Sequence, residues 1–325
     1  MYRKQIPTFE DVRQAGERLA GDVIVTPMLN SARIDEIAGR TVWVKAECLQ
    51  HTGSFKYRGA RNCILSLGPE QITNGVVAYS SGNHAQGVAL AAKRQGIPCL
   101  IVMPRDTPEV KIDGVKAYGG EVLFYDRMNE QRELIAEQVA KARGAFLIAP
   151  YEDINVIAGQ GSVGLEIAKQ SKKNHMQLQG VIANAGGGGL TAGIALALED
   201  QLPDCLLFTC EPEGFDDHKR SFVSGNREKN SALDGSICDA LMAEMPGEMT
   251  FAINMERVSS GLSVTDKEVL AAMRAAFLHL KLVLEPGGAA SLAAVLCGKA
   301  PGDGPICVVA TGGNVDGDIF QRAIC

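Results

Sequence analysis

Short apolar runs alternate along this chain with stretches whose apolar residues fall at helical spacing. In the first half, runs at 41–45, 75–79, 99–103, 121–125 and 145–149 predict strands. Between them, 83–95, 111–118 and 129–143 predict helices, and Gly96 and Gly144 stand where a left-handed residue would end the first and last of these. The second half repeats the style, with strands predicted at 180–183, 206–210 and 306–310 and helices at 190–199, 265–282 and 288–298. Thr265-Asp-Lys-Glu268 is a capping box for the longest of these. Short apolar strands alternating with helices imply parallel sheets covered on both faces, the α/β class. The stretch 216–254 is polar and irregular and reads as a surface excursion or a mobile lid.

Composition narrows the class only a little. The 325 residues are 46% hydrophobic and 22% charged, which suits one large or two medium globular domains. A net charge of −6 argues against a broad basic surface for nucleic acid. No apolar run approaches the roughly 20 residues of a membrane span. Residues 1–10 are polar and lack a signal-peptide core, so the expected location is the cytoplasm. The nine cysteines (48, 63, 99, 205, 210, 238, 297, 307 and 325) form no CxxC pair and read as reduced, mostly buried thiols rather than a zinc site.

Three segments carry candidate chemistry. Thr52-Gly-Ser-Phe-Lys-Tyr-Arg-Gly59 sets a single lysine, read as lying in a loop, beside an aromatic ring and between glycines. Burial would lower such a lysine's pKa and free a neutral amine for carbonyl chemistry. Ser80-Ser-Gly-Asn-His-Ala-Gln86 joins a predicted strand to a helix and crowds hydroxyls, an amide and an imidazole at a helix N-terminus, a setting that suits a carboxylate. Ala185-Gly-Gly-Gly-Gly-Leu190 also joins strand to helix, and its consecutive glycines free backbone amides to cradle a phosphate.

Together these segments resemble the fold-type II pyridoxal 5′-phosphate (PLP) enzymes, within them the serine/threonine dehydratase and serine racemase branch. The resemblance extends to Glu211-Pro-Glu-Gly-Phe-Asp-Asp217, Glu285-Pro-Gly-Gly-Ala289 and Thr311-Gly-Gly-Asn314. It implies a tryptophan synthase β-like architecture of two open, twisted, mostly parallel sheets with helices on both faces. A large domain of residues 1–70 and 153–325 would carry an inserted small domain, 71–152, with the cofactor in the cleft between them. It implies that Lys56 holds the cofactor and later acts as the Cα base, with Phe55 against the ring. Asn83 would face the ring's 3-oxygen, Gly186, Gly187, Gly188 and Gly189 the phosphate, Thr311 the pyridine nitrogen, and Glu285 would pack nearby. Ser80, Ser81 and His84 would surround the substrate carboxylate, and Ser81 would stand where a second base acts in racemases. Glu211, the Phe215 carbonyl and Asp217 would bind Mg²⁺ or Ca²⁺.

The implied activity is dehydration and deamination of a small β-hydroxy amino acid to a 2-keto acid and ammonia, by a homodimer. L-Threonine and L-serine are the expected substrates. 3-Hydroxyaspartate and phenylserine share the same chemistry. A second carboxylate would call for an arginine, with Arg127 and Arg220 as candidates. Racemisation and β-replacement are alternative outcomes on the same scaffold. A rival from the residues alone is a dinucleotide enzyme, since Gly187-x-Gly189-x-x-Ala192 follows a strand and Glu211 lies further on. That rival gives the lysine segment and residues 80–86 no role.

Overall fold

The strands gather into two sheets in a computed structural model that describes residues 6–107, 109–232 and 234–325, without the side chain of Val110. The polar start of the chain read above therefore lies partly outside the described residues. In chain order the strands are β1 Met28–Leu29, β2 Val42–Lys45, β3 Val76–Tyr79, β4 Cys99–Pro104, β5 Glu121–Tyr125, β6 Phe146–Ile148, β7 Gly180–Asn184, β8 Leu206–Pro212, β9 Ser260–Val264 and β10 Ile306–Val309. The first sheet has the order β1-β2-β10-β7-β8-β9 and the second β5-β4-β3-β6. Among these described strands, only the β1–β2 pair is antiparallel. Every other strand pairing is parallel.

The central strands of each sheet are buried on both faces. One side of the larger sheet packs Ile182, Phe208 and Val308 against the helices Asp266–Ala275 and Pro286–Leu296. Its other side packs Val181, Leu207 and Val309 against Ile154–Lys173 and Gly189–Gln201. The smaller sheet buries Val76, Ala78 and Ile101 against Ala85, Val88 and Ala92 of the helix Asn83–Gln95, and Tyr57, Ala60 and Ile64 join that cluster. Side chains buried on both faces explain why the strands read as unbroken apolar runs.

The helices at 83–95 and 132–143 end as expected, with Gly96 and Gly144 left-handed at φ 73° and 64°. The predicted helix at 265–282 is instead Asp266–Ala275 followed by a π turn, Ala276–Leu280, that Lys281 closes at φ 58°. The stretch 216–254 is more ordered than its composition suggests, with helices at Asp217–Ser224 and Glu248–Arg257. All nine cysteines are free. No helix among the described residues is long and apolar enough to cross a membrane.

The topology converges the candidate segments. Strands β3, β7 and β10 run parallel within their sheets, and Ser80, Ala185 and Thr311 follow soon after their carboxyl ends. Crevices outside such strand ends are where open α/β sheets take ligands.

Candidate active site

Lys56 does not lie in a loop, as expected from its flanking glycines. It is the first residue of the helix Lys56–Ser66, with Phe55 at the N-cap. The approach to that helix is fixed on both sides. Ser54 bridges Gly312, and the Phe55 amide donates to the Thr311 carbonyl at 3.1 Å. Gly59 is required by packing, because a Cβ there would meet Gln160 Nε2 at 2.3 Å and the Val156 carbonyl at 2.8 Å. Two residues beyond the lysine, fully buried Arg58 donates to both Glu47 oxygens at 2.7 and 2.8 Å and to Glu166 at 2.7 and 3.0 Å. Lys45 joins through Glu166 at 2.5 Å. This buried charge network clamps the turn that carries Lys56 against β2 and the helix Ile154–Lys173.

The Lys56 amine donates to the Pro150 carbonyl at 3.1 Å and sits 5.3 Å from the centroid of the Phe55 ring. Burial pulls its pKa down to about 8, against the opposing attraction of Glu285. That leaves far more neutral amine at pH 7 than an ordinary lysine has, which is what a nucleophilic lysine needs.

The glycine loop is built to present donors. Between β7 and the helix Gly189–Gln201, the Gly186 carbonyl accepts from His218 Nε2 at 2.9 Å and the Gly187 carbonyl from Thr250 Oγ1 at 2.6 Å. The Gly188 carbonyl accepts from Asn254 Nδ2 at 3.2 Å. With its carbonyls tied back, the loop offers a ligand its amides. Side chains are excluded here. A Cβ on Gly187 would come within 2.2 Å of the Tyr151 ring, and Gly188 is left-handed at φ 89°.

Thr311 and Asn83 are held from behind by Asn184, which was not singled out from the sequence, and by Asn314, which stood in a motif without an assigned role. Asn184, the last residue of β7, donates to Thr311 Oγ1 at 3.0 Å and accepts from the Ser291 amide at 2.6 Å. Asn314 donates to Asn83 Oδ1 at 2.7 Å and to the Thr52 carbonyl at 2.8 Å. Asn83 Nδ2 in turn donates to Glu285 at 2.6 Å. Burial first, and Asp239 second, push the Glu285 carboxyl up to about 8. Its neutral form is therefore favoured at pH 7. His84 Nε2 lies 3.2 Å from the Ile148 carbonyl, and its buried Nδ1 has no partner among the described residues. Burial lowers His84 to about 3, so the ring is neutral.

All twelve residues expected around cofactor and substrate line one cavity of about 190 Å³: Phe55, Lys56, Ser80, Ser81, Asn83, His84, Gly186, Gly187, Gly188, Gly189, Glu285 and Thr311. That is space for much more than a single water, which needs roughly 10–15 Å³. The residues fit PLP. A lysine with a depressed pKa, a donor-lined glycine cradle and a neutral hydroxyl held by Asn184 converge there. Tyr79, Tyr151 and Arg132 also form the wall. Arg132 opens the helix Arg132–Arg143 and stacks 5.6 Å over the Tyr79 ring. Among the described residues its one ion pair is with its exposed neighbour Glu133, at 2.7 Å. The two arginines put forward from sequence are elsewhere. Arg127 pairs with Asp106 at the surface, and Arg220 binds Asn230 and Asp216.

The expected cation residues stand behind the glycine loop rather than in the cavity. Glu211 lies within β8 and not beyond it, and Asp217 opens the helix Asp217–Ser224. Phe215 forms the turn between them, its amide donating to the Pro212 carbonyl at 3.0 Å. Glu211, Asp217 and His218 form a buried group whose ligand atoms lie within 4.8 Å of one another. The Glu211 oxygens accept from the amides of His218 and Lys219 at 2.8 and 2.9 Å. Asp217 Oδ1 accepts from Asn230 at 2.7 Å, while its Oδ2 is buried without a partner among the described residues. Burial, then Asp217, holds Glu211 well above the usual carboxylate range, and burial pushes Asp217 up to about 7. Two buried carboxylates with an orphaned oxygen fit a hard divalent cation. Full burial also removes Glu211 from any ribose, which takes away the acidic residue of the dinucleotide reading.

Comparison with known proteins points to the same cofactor. Residues 19–312 match the family model described as pyridoxal-phosphate dependent enzyme. The chain is 40% identical over 313 residues to an L-threo-3-hydroxyaspartate ammonia-lyase of Pseudomonas sp, covering 96% of this chain and 97% of the relative. It superposes on maize serine racemase with a TM-score of 0.92 at 36% identity, covering 98% and 97% of the two chains. A T.th. threonine deaminase gives a TM-score of 0.89 at 40% identity, covering 95% and 99%.

Proposed function

This chain belongs to the pyridoxal-phosphate dependent enzymes, and on that premise we propose that it is an ammonia-lyase whose preferred substrate is a β-hydroxy amino acid with a second carboxylate, L-threo-3-hydroxyaspartate. The products would be oxaloacetate and ammonia. The observation that carries this substrate is Arg132, a cavity-wall guanidinium whose one ion-pair partner among the described residues is an exposed glutamate. Threonine and serine lack the group that Arg132 would bind and are the slower substrates in this reading. The hydroxyaspartate ammonia-lyase relative supports the same choice.

When bound, PLP supplies an electron sink for the pair left on Cα as its proton departs. Lys56 would hold the cofactor, and its Nζ would take the Cα proton of the substrate. The amides of Gly186 to Gly189 bind the phosphate, and Phe55 covers the ring. Asn83 faces the 3-oxygen with Glu285 behind it. Asn184 occupies one lone pair of Thr311, so the Thr311 hydroxyl keeps its hydrogen to donate to the ring nitrogen. A neutral donor there would not hold the ring nitrogen protonated as a carboxylate would. Ser80 and Ser81 would flank the α-carboxylate; His84, with its Nε2–H on the Ile148 carbonyl, leaves only a lone pair on Nδ1, which can accept from a serine hydroxyl but gives the carboxylate no hydrogen. Glu211, the Phe215 carbonyl and Asp217 hold Mg²⁺ or Ca²⁺. We assign the small domain to residues 71–152, between 1–70 and 153–325, and read the protein as a cytoplasmic homodimer.

Serine racemisation is a second reading, favoured by Ser81 in the same cavity as Lys56 and by the likeness to maize serine racemase. Incubating the holoenzyme with L-threo-3-hydroxyaspartate or L-serine and measuring keto acid, ammonia and D-serine separates them. Keto acid and ammonia in equal amounts support the lyase. D-Serine formed faster than pyruvate, with no oxaloacetate, would replace it with the racemase.

A further inference from the structure

His218 faces the glycine loop and the carboxylate group at once. Its side chain is fully buried, Nε2 meets the Gly186 carbonyl at 2.9 Å, and Nδ1 has no partner among the described residues. One ring nitrogen lies within 4.8 Å of a carboxylate oxygen from each of Glu211 and Asp217. Asp217 Oδ2, on the adjacent residue, is likewise buried and unpartnered. A buried polar atom without a partner is costly and uncommon. Two of them in one three-residue group point to a ligand that both share. With its Nε2 hydrogen on the Gly186 carbonyl, a neutral imidazole carries its lone pair on Nδ1. A backbone carbonyl on the far nitrogen is how metal-bound histidines are commonly oriented.

We propose that His218 is both ligand and linker: Nδ1 joins Glu211 and Asp217 in holding the divalent cation, while Nε2–H pins the Gly186 carbonyl, so that cation occupancy tightens the loop's grip on the cofactor phosphate. This rests on the cation reading above. The route is short, because the Gly186 carbonyl and the Gly187 N–H share one planar peptide and point in opposite directions. Holding the oxygen toward His218 aims the Gly187 amide toward the cavity. Mn²⁺ shares the carboxylate preference of Mg²⁺ and Ca²⁺ and tolerates a nitrogen beside two carboxylates, which makes it a fitting probe of the site.

The test uses Mn²⁺ as the probe, with His218→Gln as the variant. Glutamine keeps an N–H near the reach of Nε2 but lacks the ring's second nitrogen. Mn²⁺ binding is read by electron paramagnetic resonance, nitrogen ligation by electron spin-echo modulation, and PLP affinity by absorbance titration of the apoprotein with and without Mn²⁺. The wild type should show nitrogen modulation, and the variant should lose it with a roughly 10–100-fold weaker hold on Mn²⁺. Mn²⁺ should tighten PLP binding at least about fivefold in the wild type and much less in the variant, since coupling of this kind is typically about 5–150-fold. Mn²⁺ binding without nitrogen modulation in the wild type overturns the role of His218 and leaves the carboxylate site standing. PLP affinity indifferent to Mn²⁺ overturns the linkage. Failure to bind either Mn²⁺ or Mg²⁺ overturns the cation site with it. If the variant does not fold, the wild-type nitrogen signal and the PLP titration decide alone.

Discussion

Asn184 Nδ2 donates to Thr311 Oγ1 at 3.0 Å, and this bond decides what the threonine has left to offer. With one lone pair taken, the hydroxyl hydrogen turns elsewhere, and the Gly287 carbonyl, its acceptor within the protein, is a distant 3.5 Å away. Asn184→Ala frees that rotor and removes the side-chain oxygen to which the Ser291 amide donates. The expected result is about a tenfold loss in kcat/KM, with stability lower by about 1–3 kcal/mol. Steady-state kinetics and denaturant melts measure both. Unchanged kcat/KM would remove Asn184 from the orientation of Thr311.

Lys56 should titrate early. Because burial depresses its pKa to about 8 from an ordinary 10.5, the neutral amine that captures PLP appears as pH rises through about 8. The rate of PLP uptake by the apoprotein, followed by absorbance, should climb with a midpoint near 8. A midpoint near the ordinary lysine value would mean that the amine is not desolvated. Lys56→Ala should cut turnover at least about a thousandfold, within the range for removing a positioned base.

Arg132→Leu separates the substrates. It should lower kcat/KM for L-threo-3-hydroxyaspartate about a hundredfold, the scale of losing a hydrogen-bonded charge partner. Activity on L-threonine should change no more than about threefold. Equal losses on both would mean that Arg132 serves the wall in general and not the second carboxylate.

Arg58 holds the turn of Lys56 without entering the cavity. Arg58→Leu leaves Glu47 buried without its guanidinium partner and should cost about 3–5 kcal/mol, measured by denaturant unfolding. Burial raises and Arg58 lowers the Glu47 pKa, and the net effect is downward. A depressed folded pKa means that the stability it contributes is present above the unfolded carboxylate range. It is lost as pH falls through the lower folded value. The wild type should therefore weaken below about pH 4 through this group; in Arg58→Leu, where burial is left to raise the carboxyl, the same group should instead cost stability as pH rises through and above the ordinary carboxylate range.

The alternation of strands and helices was legible because β3, β4, β7, β8 and β10 are apolar on both faces and stand apart from the polar helices and turns around them. The helix Lys56–Ser66 was not, because Tyr57 to Ile64 are all buried although Arg58, Arg61 and Asn62 among them are polar, so polarity there does not mark an exposed face. The 20-residue helix Ile154–Lys173 was hidden in the same way, with Gly159, Gly161 and Gly164 allowing close approach by its neighbours. β9 reads Ser-Gly-Leu-Ser-Val, too polar to stand out. Cavity residues that carry an unusual run, such as the four glycines, were visible in the chain. Arg132, Tyr151 and Asn184 were not, since each is an ordinary residue at or beside the end of an element, and only the meeting of the two sheets gives it a neighbour. His218 follows the acidic turn directly, and its adjacency to Asp217 was the one signal that could have drawn it in.

The most direct test of a site built around a second carboxylate offers L-threo-3-hydroxyaspartate and L-threonine together, at equal concentration, to the wild-type holoenzyme and measures oxaloacetate and 2-oxobutyrate in the same vessel. Competing substrates divide by their kcat/KM ratio. Oxaloacetate exceeding 2-oxobutyrate by at least about tenfold is the predicted result, since one well-placed charge partner is worth that much or more. Equal yields, or an excess of 2-oxobutyrate, would contradict it.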